Sequence, residues 1–215
     1  MEHSSAGKPS VKRTWIEVVG AYGLIEAALW QPQHILLWSL SAVAWICFLT
    51  IATAPSLRHL GLSPKGLGQS IWIGLAGLIL AGLIVLLGDL TGSLHIFSNQ
   101  NKPALHVVFY AVWALGQQFL LQSFFLLRFE YILGRGREAM WSASLLFFLA
   151  HLPNPVLLLV TAIAAPIFIE LFRGYRNLYP LAIAHALVGL ALAVALPDGV
   201  THQMKVGSGY LYWSP

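Results

Sequence analysis

From residue 34 to residue 196 the chain is a succession of apolar blocks, and the length of those blocks constrains it most. They run over 34–54, 68–88, 104–127, 139–152, 155–169 and 178–196. A helix needs about 20 apolar residues to cross the hydrocarbon of a bilayer, with a range of about 17–25. The first three blocks and the last meet that range. The fourth and fifth are short and meet at Pro153-Asn154-Pro155, which reads as a tight turn near a membrane face. Only 9% of the residues are charged, where a soluble domain carries about a quarter. That is too few to cover a water-facing surface, so the expected fold class is an all-α integral membrane protein in one bundle.

A further stretch, 15–30, is short and carries Glu17 and Glu26, and the basic residues decide whether it spans. If it does, one side of the membrane receives Lys8, Lys12, Arg13, Arg58, Lys65, Arg128, Arg135, Arg137, Arg173 and Arg176, and the other only Lys102 and Lys205. If it does not, the loops divide almost evenly. Cytoplasmic loops collect Lys and Arg, so the expectation is seven transmembrane helices with the N-terminus inside. The organisation is then a cytoplasmic tail over 1–14, a transmembrane helical domain over 15–196 and a C-terminal tail over 197–215. That last tail, with Tyr210, Tyr212 and Trp213, belongs at the outer interface.

The net charge of +4 does not mark a nucleic-acid partner, because the basic residues sit between apolar blocks, as topology signals do. The single Cys47 excludes an intramolecular disulfide and any multi-cysteine metal site, and within an apolar run it reads as a small packing residue. Lys8, Lys12 and Arg13 precede a stretch interrupted by Glu17 and Glu26, unlike a cleavable signal peptide. Gly77 and Ala81, four apart, allow a close helix approach.

Polar side chains at membrane depth are costly and default to a functional reading. The candidates are Gln117, Gln118 and Gln122 on one helix, His151 on the next and His185 on the last. At about 1.5 Å per residue, Gln118 lies about 15 Å, His151 about 18 Å and His185 about 10 Å from the cytoplasmic helix ends. Three helices thus bring hydrogen-bonding groups to a similar level. Gln118 and Gln122 share a face, which also suits plain interhelical hydrogen bonding. His34 and His106 lie near helix ends. Glu17 and Glu26 face opposite ways, and at least one is expected to pair structurally. Glu170 and Arg173 are spaced as an interfacial pair.

The order Gln117-Gln118-Phe-Leu-Leu-Gln122, then Phe147-x-x-x-His151, then Pro180-x-x-x-x-His185 resembles the CPBP intramembrane proteases, the CAAX-processing and bacteriocin-processing (Abi-like) enzymes. The resemblance covers roughly 104–196. Their pattern is Glu-Glu-x-x-x-Arg, Phe-x-x-x-His, and His-x-x-x-Asn or a similar polar residue. It implies an endopeptidase in which a glutamate activates water and two histidines assist it and stabilise the oxyanion. Here Gln117 and Gln118 occupy the glutamate places, Gln122 the arginine place and Gly189 the place of the final polar residue, while His151 and His185 match. Glutamine cannot act as a general base, and acid and base are neutralised together, which removes buried charges that would need each other.

Three functions follow as expectations. One is a working endopeptidase on membrane-associated or lipidated peptide tails, with Glu26 or Glu170 supplying the carboxylate. Another is an inactive pseudoprotease that binds a hydrophobic or lipidated client as a chaperone-like partner, favoured on residue chemistry alone. Third is a small-solute or proton pathway, which lacks paired carboxylates and inverted repeats. Membrane lipid is the expected surrounding partner. No cofactor is expected from the residues: for a divalent metal, two histidines without a carboxylate are an incomplete ligand set.

Overall fold

A computed structural model describes residues 10–95 and 103–213, and among these every regular element is helical. Helix α1 (Val11–Trp30) starts at Ser10, whose hydroxyl accepts from the Arg13 backbone N–H at 3.2 Å. A capped polar first turn lengthens the helix beyond the apolar stretch 15–30, since a cap needs no apolar side chain. A 3₁₀ turn over Pro32–His34 leads into α2 (Ile35–Thr53). Gly20 of α1 admits the Trp45 ring of α2, and Trp45 Nε1 donates to the Glu17 carbonyl at 3.3 Å.

Helices α3 (Leu67–Leu90) and α8 (Tyr179–Ala195) run parallel along a seam of small residues. A Cβ placed on Gly77 would lie 2.6 Å from the Ala184 Cα, and one on Gly88 would lie 2.8 Å from the Ala195 Cβ. The two contacts recur eleven residues apart on both helices, so they fix one register. Small residues permit this approach where dispersion between backbones has to hold helices together in lipid.

Packed on α8, α4 (Pro103–Gln118) passes through a π-helical stretch (Phe119–Leu126) into α5 (Leu127–Leu133). Leu121, Phe124 and Leu126 of the π stretch are fully buried at the centre of the core. Widened turns of this kind recur at functional sites. Arg128 of α5 is buried against α1, where its Nε donates to Glu17 Oε2 at 3.0 Å and its guanidinium lies 3.7 Å over the Phe124 ring. Glu17 also accepts from Arg13 at 3.1 Å.

Two buried asparagines tie the remaining turns. Asn154 precedes α7 (Pro155–Tyr175) and accepts from the Val156 and Leu157 N–H groups. Its amide donates to the carbonyls of Thr201 at 2.7 Å and Lys205 at 3.0 Å. The chain beyond α8 therefore folds back, through α9 (Asp198–Thr201) and α10 (Ser208–Leu211), onto the turn after α6 (Arg137–Leu149). Gly207 N–H donates to the Leu152 carbonyl at 2.7 Å and Ser208 Oγ to the Leu29 carbonyl at 2.9 Å. At the opposite end Asn177 donates to the Ser63 carbonyl at 3.2 Å and caps Tyr179, locking the α7–α8 turn to the α2–α3 loop.

The exterior is apolar and the polar side chains are inside. Ile51 is 83% exposed and Leu90 72%, while Gln118, Gln122, Asn154 and Asn177 are at 0%. Water would sort them the other way, so the surroundings are lipid and the protein is a multi-pass membrane protein. Among the described residues, four helices are long and apolar enough to cross: 32–53, 67–90, 104–133 and 155–175, with the shorter apolar Tyr179–Ala195 in addition. Helix α1 has 20 residues but carries Glu17 and Glu26, and α6 has 13 residues; both fall outside that class, so length and composition by themselves do not establish the seven spans expected from charge. Cys47 is exposed on α2, not packed inside.

Candidate functional site

The expected polar residues come from α4, its π-helical continuation, α6 and α8. Gln118 is the last residue of α4, and its Nε2 lies 3.1 Å from His185 Nδ1. One turn on, Gln122 Nε2 donates to Gln118 Oε1 at 3.4 Å. An amide nitrogen only donates, so the bonds run in one direction, from Gln122 to Gln118 to His185. Nδ1 of His185 must then accept, and its neutral ring carries the proton on Nε2.

His151 has the complementary arrangement. Its Nδ1 lies 2.6 Å from the Phe147 carbonyl, which can only accept, so Nδ1 holds the proton and Nε2 presents a lone pair. The Phe147 ring stands beside both imidazoles, with centroids 4.7 Å from His151 and 6.5 Å from His185, and Phe168 flanks His185 at 6.4 Å. The two histidines thus meet on one aromatic ring, one offering an acceptor and the other a donor. An acceptor can hold a proton taken from water, and a donor can stabilise negative charge on a carbonyl oxygen.

His185 is placed by the seam behind it. Its neighbour Ala184 is pressed against Gly77, so the backbone that carries the ring cannot move away from α4 without moving α3. Gly189, one turn further along α8, has its Cβ position filled by the Tyr110 hydroxyl from α4. A phenol therefore stands where the motif has a polar side chain on α8, a residue the sequence reading missed. Tyr110 and Gln117 are seven apart and share a helix face, and that spacing, with a glycine in place of a polar residue, is the signal that could have found it.

Gln117 is half-buried and makes no hydrogen bond among the described residues, so it stays out of the relay. Gln122 Oε1 and Ser144 Oγ are buried without partners among the described residues, a state that costs about 1–3 kcal/mol per group. The acidic side chains are engaged elsewhere. Glu17 is held by Arg13 and Arg128, while Glu130 and Glu170 are held by Arg173 at 2.8 and 2.7 Å. Glu26 accepts from Trp30 Nε1 at 3.0 Å and from the Tyr22 hydroxyl on the same helix. Among the described residues, no carboxylate pairs with His151 or His185, and no three His, Cys, Asp or Glu side chains group closely enough to hold a metal.

Residues 99–191 match the family model described as Type II CAAX prenyl endopeptidase Rce1-like. No curated protein and no solved structure matches the chain.

Proposed function

We propose, on the match of residues 99–191 to the Rce1-like CAAX prenyl endopeptidase model, that this chain keeps the tail-binding cavity of such an intramembrane protease but has lost its carboxylate-driven hydrolysis. The observation that carries this reading is the Gln122–Gln118–His185 relay, with donor distances of 3.4 and 3.1 Å. Amides occupy the glutamate and arginine places, and two of them, Gln118 and Gln122, direct hydrogen bonds toward His185. Its Nε2–H, with the Tyr110 hydroxyl beside Gly189, can hold the carbonyl of a hydrophobic or lipidated peptide tail. His151 Nε2 can hold a water nearby, but an imidazole without a carboxylate partner is a weaker device for deprotonating it. The protein then acts as a membrane binding partner for such tails, placed in the bilayer as seven helices with its N-terminus in the cytoplasm.

A second reading is a working endopeptidase, favoured by the complementary hydrogen bonding of the two histidines. One assay separates the two. The protein is reconstituted in vesicles with a fluorescent farnesylated CAAX peptide, and binding and cleavage are both followed. Binding without cleavage, weakened by His185→Ala, is the expected result. Restoring the charges with Gln117→Glu, Gln118→Glu and Gln122→Arg together should raise cleavage by about 10²–10⁴-fold, the usual worth of general-base assistance. Wild-type cleavage abolished by Glu26→Gln or His151→Ala would overturn the binding reading in favour of the protease.

A further inference from the structure

Away from the histidines, at the end of the bundle where the α2–α3 and α7–α8 turns meet, lies a cavity of about 480 Å³ lined by Arg58, Arg135, Arg173, Arg176, His59 and Glu130, among others. Its positive charge is only partly matched. Glu130 accepts from Arg173 at 2.8 Å and lies 3.8 Å from Arg135, and Glu170 takes a second Arg173 N–H at 2.7 Å. Two carboxylates therefore face four guanidinium groups. Arg58 has no ion pair or hydrogen bond among the described residues. Arg176 is held in place by donating to the His59 carbonyl at 2.9 Å and to His59 Nδ1 at 3.3 Å. It does so from a left-handed backbone conformation, φ 50°, which side-chain-bearing residues rarely adopt, and such strain persists where the surroundings enforce it.

Against this pocket lies a second cavity of about 350 Å³ with an apolar wall that includes Cys47, Ile51, Ala54, Leu57, Leu60 and Phe119. Ser56 lines both cavities. The segment 56–60 is the partition between them: Arg58 and His59 line the charged side, Leu57 and Leu60 the apolar side. The groove follows the exposed flank of α2, where hydrocarbon chains lie, and the arginines stand where that helix ends.

We infer that the two cavities are one binding site for a bilayer phospholipid of net negative charge, its phosphate among the four arginines and an acyl chain along α2 as far as Phe119. Guanidinium groups match phosphate oxygens with paired N–H donors, and basic pockets between membrane helices take up anionic headgroups. An apolar groove alone would accept any chain, and the arginines alone any anion. Their junction at Ser56 selects a molecule that is both.

The test is native mass spectrometry of the full chain titrated with phosphatidylglycerol, with phosphatidylcholine and inorganic phosphate in separate arms. The expected result is one tightly retained phosphatidylglycerol, bound at least tenfold better than phosphatidylcholine and not displaced by millimolar inorganic phosphate. The double variant Arg58→Gln/Arg135→Gln should weaken it at least tenfold, and Ala54→Trp should do so by filling the groove. Lys12→Gln, a charge lost at the same end but outside the pocket, should leave it unchanged. Each variant is compared with wild type by thermal unfolding, and the arginine pair decides the matter if Ala54→Trp fails to fold. Retention unaffected by the arginine pair, equal weakening by Lys12→Gln, or displacement by inorganic phosphate would each overturn the proposal.

Discussion

Replacing Gly77 by alanine adds one methyl group, and the structure says where it goes. The new Cβ would lie 2.6 Å from the Ala184 Cα and 2.7 Å from its Cβ. Carbon atoms rest at about 3.5–4.0 Å, so α3 and α8 would have to part by about 1 Å at this level. The obstacle is backbone, which cannot rotate aside as a side chain does, and overpacking of this kind costs about 1–3 kcal/mol. Gly82 on the same helix is the control, since a Cβ there meets nothing within 4 Å. Helix propensity alone favours alanine over glycine by about 0.8–1.0 kcal/mol, so Gly82→Ala should be neutral or stabilising. Both variants share that gain, so thermal unfolding in detergent reads the overpacking as a difference: at about 2–4 °C per kcal/mol for a chain of this size, Gly77→Ala should melt several degrees below Gly82→Ala. Equal shifts for the two variants would mean that the seam is not in contact and that His185 is positioned by something else.

Two further outcomes are expected. With Cys47 replaced by serine, cysteines introduced at Ser10 and Tyr212 should label from opposite faces of sealed vesicles, the first from the cytoplasmic side; labelling from one face would remove the seven-helix arrangement. The His59 ring, part-covered in its loop and beside the Arg176 guanidinium, has its pKa lowered below 6.5 by burial first and by that charge second. The unfolded chain therefore takes up the proton more readily, so His59's contribution to stability is present above pH 6.5 and is lost as the pH falls through the folded pKa. Tm measured at pH 7.5 and 5.5 should show this loss in wild type, and His59→Gln should diminish it.

What could be read from the sequence was what depends on distance along a helix. Apolar block length gave the fold class, and counting rises brought Gln118 and His185 to neighbouring levels, where the structure has them 3.1 Å apart. The Glu170–Arg173 pair follows from the same spacing and is made at 2.7 Å. What depends on contact between distant segments was not readable. Tyr110 and Gly189 are neighbours only because α4 lies on α8, and without that fact Gly189 reads as a loss, not as an exchange. The π-helical stretch is equally silent, because widening a turn changes hydrogen-bond partners without changing which residues are apolar. Asn154 read as part of a turn, yet it also binds the chain some fifty residues later. Cys47 misled because an apolar run in lipid does not tell its inner face from its outer one.

The parallel seam also decides which part of the bundle is able to yield. Two backbone contacts eleven residues apart act as paired stops, and α3 can neither slide along α8 nor tilt from it without losing one of them. Helix α2 packs chiefly on α1, and its last two turns, from Cys47 on, border a groove. The molecule is accordingly divided into a stiff wall behind His185 and a looser one in front of Phe119. A lipid-borne tail of the kind proposed would, entering sideways from the bilayer, meet less resistance at the second. Crosslinking α2 to the α4–α5 rod would then slow entry, whereas crosslinking α3 to α8 would only reinforce what the glycines already do.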